Sequence, residues 1–74
     1  MNIAYDPEAD AAYIMLGEKI GSGEAAQQVS LIDTPNGQTQ VTIDFDPDGH
    51  ILGFEVLAAS LGLRREILEA ASPM

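Results

Sequence analysis

From Gln40 onward, Val41, Ile43 and Phe45 alternate with Gln40, Thr42, Asp44 and Asp46, and turn signals stand on both sides, Asn36-Gly37 before and Pro47-Asp48-Gly49 after. Alternation of period two puts successive side chains on opposite faces, as in a half-buried strand. Asn-Gly is among the strongest short hairpin signals. A strand over residues 38–46 between two tight turns obliges its neighbours to fold back antiparallel. Residues 24–32 qualify on one side, with Ala25, Val29 and Leu31 set against Ala26, Gln28 and Ser30. Residues 51–58 qualify on the other, with Leu52, Phe54 and Val56 on one face and Ile51, Gly53, Glu55 and Leu57 on the opposite one.

The start of the chain reads the same way. Residues 2–5 form a short strand stopped at Asp6-Pro7, where proline supplies no backbone donor, and residues 11–16 return as a second apolar strand. An aromatic residue, an Asp-Pro turn and a returning apolar strand thus occur twice, at Tyr5-Asp6-Pro7 and Phe45-Asp46-Pro47. Residues 17–23 are a glycine-rich connection without the Gly-Lys-Ser/Thr ending of a phosphate loop. Ser60 is placed to cap an amphipathic helix over residues 61–71, whose stripe is Leu61, Ile67, Leu68 and Ala71 and which Ser72-Pro73 ends. The expected architecture is one α+β domain over residues 1–74: a small antiparallel sheet of 4–5 strands, built as two hairpins, with one C-terminal helix.

Composition sets the limits on such a fold. A chain of 74 residues buries a smaller share of its surface than a larger domain does and needs a staple. With no cysteine and one histidine, disulfides and thiolate metal sites are excluded, which leaves association. One sheet and one helix cannot cover both sheet faces, so apolar residues such as Ile51 and Leu57 are left over for a homodimer or higher homo-oligomer. Twelve acidic residues against Lys19, Arg64 and Arg65 give a net charge of -9. Too few cations remain to neutralise phosphates, which argues against nucleic acid and anionic membrane partners and leaves a basic protein or a cation as the charged partner, with solubility the simpler reading of the charge. Neither a signal peptide nor an apolar run long enough to span a bilayer is visible, so a cytoplasmic protein is expected.

Three groups bear on chemistry. Asp44, Asp46, Asp48, Gly49 and Glu55 satisfy the spacing of a calcium-binding loop, in which carboxylates and a bidentate glutamate enclose a hard cation. That loop needs a helix on each side, and the β-branched alternation before Asp44 argues for strands instead. His50, with Asp46 and Asp48 close by, has the makings of a general base, so the alternative function is a cation-dependent or acid–base enzyme using this acidic turn. No nucleophile accompanies it, and a solvated turn histidine is the simpler reading. Asp6, Glu8 and Asp10, joined with Asp46 and Asp48, would form a single anionic interaction rim if both Asp-Pro turns share one end of the sheet. No catalytic residue, cofactor or metal is assigned on this basis.

The stretch from Tyr5 to Ile14, Tyr-Asp-Pro-Glu-Ala-Asp-Ala-Ala-Tyr-Ile, resembles the opening of the small bacterial proteins grouped as domain of unknown function 2283. Ile43 to Ser60 resembles that family's second signature, an acidic Asp-Gly turn leading to a Gly-x-Glu-aliphatic-Leu strand and a small residue before Ser. Ala58 stands where the family pattern carries Asp. The resemblance implies a compact antiparallel sheet with a C-terminal helix and implies no established reaction. Some similar proteins are encoded beside small toxin-like proteins, so an inhibitor role is among those it allows. The reading carried forward is an acidic, self-associating binding module.

Overall fold

The computed structural model describes residues 1–17, 21 and 24–73, so most of the glycine-rich connection lies outside the described residues. The elements are β1 (Asn2–Asp6), β2 (Ala11–Met15), β3 (Gln27–Asp33), β4 (Gln40–Phe45), β5 (Ile51–Leu57), α1 (Ala59–Gly62), α2 (Arg65–Ala70) and β6 (Ser72–Pro73). They form one six-stranded sheet in the order β3-β4-β5-β2-β1-β6. The pairs β1–β2, β3–β4 and β4–β5 are hairpins, and the antiparallel β2–β5 pairing joins the two halves. The α+β class and a mostly antiparallel sheet are as the sequence leads one to expect, but six strands stand where 4–5 were expected.

The C-terminal third differs from that expectation. The chain leaves helical geometry at Leu63 (φ -111, ψ 146) and Arg64 (φ -64, ψ 147), so two short helices replace one. The break lets both Leu63 and Leu68 pack on the cluster of Ala12, Val56 and Ala59, while Leu61, expected in the buried stripe, is 57% exposed. Ser60 does not cap the helix. Ala58 occupies the N-cap position with left-handed backbone (φ 56) and makes no side-chain cap. Ser72-Pro73 also does more than end a helix, since it runs parallel to β1 opposite Ala4 and Tyr5 as a sixth strand. Proline is tolerated there because an edge strand has one side without ladder bonds.

The β3 strand begins at Gln27 and carries a bulge: Val29 opposes Ile43, but Ile32 rather than Leu31 opposes Val41. Leu31 has φ 58, the left-handed conformation that such bulges usually give to glycine.

The registers sort the side chains into two faces. Tyr5, Ala12, Val56 and Val41 lie in one row, and α1 and α2 close over this end of that face through Ala59, Leu63 and Leu68. Gly62 makes the close approach there, since a Cβ on it would run into Thr39, which is 2% exposed. The next row on the same face, Ile3, Ile14, Phe54, Ile43 and Val29, crosses the sheet from β1 to β3. Only its Ile14 member packs against the buried cluster. The fully buried hydrophobic residues are few: Ala11, Ala12, Val56 and Ala59. Exposed apolar surface thus includes Val29 at the end of this row and Ile51, and Leu57 is half-buried.

Candidate functional site

The face away from the helices is built around Tyr13 on β2. Tyr13 opposes Glu55 of β5, and its ring leans over Gly53 to reach the next strand, β4. There its hydroxyl donates to Asp44 Oδ2 at 2.8 Å, and from β3 the Gln28 side-chain amide donates to Asp44 Oδ1 at 2.9 Å. A glycine at 53 is needed for this, because a Cβ would sit 2.5 Å from the Ile14 carbonyl oxygen and 2.8 Å from the Tyr13 hydroxyl. Burial, then the bond to Asp44 and its charge, then Glu55, hold the Tyr13 phenol well above the ordinary tyrosine range. The phenol is thus a neutral donor with its proton committed to Asp44, a poor acid or base at neutral pH.

The β1–β2 turn is centred on Asp10. Its Oδ1 accepts from the Tyr5 hydroxyl at 2.7 Å and from the Ser60 amide at 2.9 Å, and its Oδ2 accepts from the Ser60 hydroxyl at 2.7 Å. The Asp10 carbonyl accepts from the Ala59 amide at 2.9 Å. Asp10 therefore gives α1, from fifty residues away, the cap that Ala58 lacks. Its carboxyl is held below the usual range by the Ser60 hydroxyl first and the Tyr5 hydroxyl next, and the Tyr5 phenol is raised by the same bond.

The β4–β5 turn is organised by Asp46. One oxygen, Oδ1, accepts the Asp48 and His50 amides, both at 2.9 Å, and Oδ2 lies 3.0 Å from His50 Nδ1. Those contacts, the His50 amide foremost, lower the Asp46 carboxyl below its ordinary value. Asp46, Asp48 and His50 bring ligand atoms within 4.8 Å of one another, but both Asp46 oxygens are already used in holding the turn. The calcium-type set does not converge. Strands flank the loop, Asp44 is tied to Tyr13 and Gln28 on the sheet, and Glu55 lies opposite Tyr13 and Thr42. His50 is exposed, and its Nδ1 faces Asp46 Oδ2.

The two acidic turns do not form one rim. Ala11, just after the first turn, pairs with Leu57 at the far end of β5, whereas the second turn precedes Ile51 at the other end. Asp6, Glu8 and Asp10 therefore sit at one end of the sheet and Asp46 and Asp48 at the opposite end. The antiparallel β2–β5 joint is what separates them. A chain in which these two strands ran parallel would bring the turns together.

A family model described as protein of unknown function DUF2283 matches residues 2–60. The chain belongs to this family. The matched segment ends at Ser60, so it contains β1 to β5, but not β6, and both partners of the Asp10–Ser60 contact. It also contains Tyr13, Gly53 and Asp44, the residues of the polar face. No curated protein and no solved structure matches the chain. Among the described residues no helix is long and apolar enough to cross a membrane.

Sequence reasoning singled out the carboxylates and set His50 beside Asp46, but missed what Asp10 and Asp44 bond to. Tyr13 was legible only as an apolar strand residue, and Gln28 and Tyr5 carried no chemical signal. A glycine two residues before Glu55 in a strand was the clue, since an interior strand glycine marks a close approach.

Proposed function

We propose that this member of the family is a non-enzymatic interaction module that works as a pair of identical chains. The observation that carries this is the distribution of charge over the sheet. In a chain of net charge -9, the row Ile3, Ile14, Phe54, Ile43 and Val29 bears no ionisable group, and it is only half covered. Two such chains repel each other everywhere except across this surface.

Pairing across this face leaves Glu55, Asp44 and both acidic turns pointing outward. A cationic protein surface is the partner such a pair would steer in, and the interaction would weaken with salt. Sedimentation equilibrium over a micromolar concentration range tests the pairing. A dimer is expected, and a well-folded monomer throughout the range would overturn it. Phe54→Lys places a charge in the row and is expected to shift the equilibrium to monomer.

A further inference from the structure

We infer that Asn36-Gly37 is a modification site, an asparagine whose spontaneous deamidation the fold holds back and whose conversion to aspartate cuts the β3–β4 turn loose from α1. The inference is independent of the pairing proposed above. Asparagine is among the thermolabile residues, and a following glycine, with no side chain, leaves its own nitrogen unhindered. In the reaction the Gly37 nitrogen loses its proton and attacks Asn36 Cγ. The bond from Cγ to Nδ2 breaks, ammonia leaves, and water opens the resulting succinimide ring to aspartate or isoaspartate. Asn36 and Gly37 are exposed, so water and base reach the turn.

Both reacting groups are engaged in the folded chain. The Gly37 N–H donates to the Thr34 carbonyl at 3.0 Å. Asn36 Oδ1 accepts the Gln38 and Thr39 amides, both at 2.8 Å, and the Thr34 hydroxyl at 3.0 Å. Asn36 Nδ2 donates to Thr39 Oγ1 at 2.8 Å and to the Leu61 carbonyl at 3.1 Å. Two backbone amides aimed at one end of the side chain and a carbonyl at the other fix which end is which. The side-chain amide is clamped, and the reaction must await a local opening of the turn.

The same clamp joins the turn to the helix. Thr39, which is 2% exposed, takes the proton of Asn36 Nδ2 and donates its own to the carbonyl of Ala58, the N-cap of α1, at 3.2 Å. Asn36 therefore reaches α1 near both ends, directly at Leu61 and through Thr39 at Ala58. An aspartate at this position keeps the bonds from the Gln38 and Thr39 amides, because a carboxylate accepts as an amide oxygen does. It has no proton to donate. It meets the Leu61 carbonyl acceptor to acceptor, and it competes with the Ala58 carbonyl for the single Thr39 hydroxyl proton. The turn survives and the tether does not.

Mass spectrometry of the full chain, incubated folded and in guanidinium chloride at mildly alkaline pH, follows conversion at Asn36. The folded chain is expected to convert at least about tenfold more slowly, as a reaction limited by opening requires. A folded chain that converts as fast as the unfolded one would overturn the protection. Thr39→Val, at temperatures where its circular dichroism matches that of the natural chain, is expected to convert faster than the natural folded chain, and an equal rate would overturn the clamp. Asn36→Asp supplies the product directly. Hydrogen exchange at the Leu61 and Leu63 amides, which bond the Ala58 and Ala59 carbonyls, is expected to quicken about tenfold in this variant, with the amides of β4 and β5 unchanged. Equal exchange in variant and natural chain would overturn the tether, and a rise shared by β4 and β5 would show a global loss of stability and overturn it as well.

Discussion

Replacing Gly53 by alanine is the most direct probe of the polar face. The added Cβ would stand 2.5 Å from the Ile14 carbonyl oxygen, a backbone atom held in the β2–β5 ladder, and 2.8 Å from the Tyr13 hydroxyl. The tyrosine could swing aside, but the carbonyl cannot move without disturbing the joint between the two halves of the sheet. Overpacking of this kind costs about 1–3 kcal/mol. Displacing Tyr13 from Asp44 adds about 1 kcal/mol for the lost hydrogen bond. Together these make about 2–4 kcal/mol, against a total stability of roughly 4–11 kcal/mol for 74 residues. At about 4–8 °C per kcal/mol the melting midpoint should fall by at least ~8 °C. Urea unfolding followed by far-ultraviolet circular dichroism, at one protein concentration, measures the difference. Adding Tyr13→Leu to Gly53→Ala should relieve the clash with the tyrosine, while the clash with the carbonyl and the loss of the bond to Asp44 remain. A Gly53→Ala chain within about 0.5 kcal/mol of the natural one would refute the close-approach argument.

Other expectations follow from the same contacts. Ala58→Asn should stabilise the chain by about 0.5–1 kcal/mol, because Ala58 holds left-handed backbone at φ 56; equilibrium unfolding decides, and a destabilised variant counts against the reasoning. Gly62→Ala should destabilise by about 1–3 kcal/mol through its clash with buried Thr39, and Thr39→Ser in the same chain should return part of the loss. Asp10 and Asp46 have lowered folded-state values, so the stability they supply is full above the unfolded carboxylate value near 4 and drains away as pH falls through the lower folded values. Asp10→Asn should flatten that acid limb of a stability–pH profile. Tyr5 and Tyr13 are raised, so their contribution is full below the unfolded tyrosine value near 10 and is lost as pH rises through the folded ones. Tyr13→Phe should remove part of the alkaline loss. Millimolar calcium should leave the melting midpoint unchanged, since the Asp46 oxygens are already committed to the turn; a rise would show binding to the folded state.

Local pattern alone determined five of the strands, two of the tight turns and the α+β class. Val41, Ile43 and Phe45 could alternate with Thr42 and Asp44 only in a strand, and Asn36-Gly37 and Asp48-Gly49 could hardly do anything but bend. Those signals are short-range, and each is complete within a few residues. What the pattern could not carry is anything that depends on how distant strands are joined. The antiparallel β2–β5 pairing sent the two acidic turns to opposite ends, and it laid Tyr13 over Gly53 onto Asp44, thirty-one residues away. The helix broke at Leu63 because two leucines had to reach one small cluster, and Asp10 capped α1 across fifty residues. Hydrophobic spacing says which side chains must leave water. Which neighbours they meet is settled only when the strands choose their partners, and it was that choice that left one uncharged face half open.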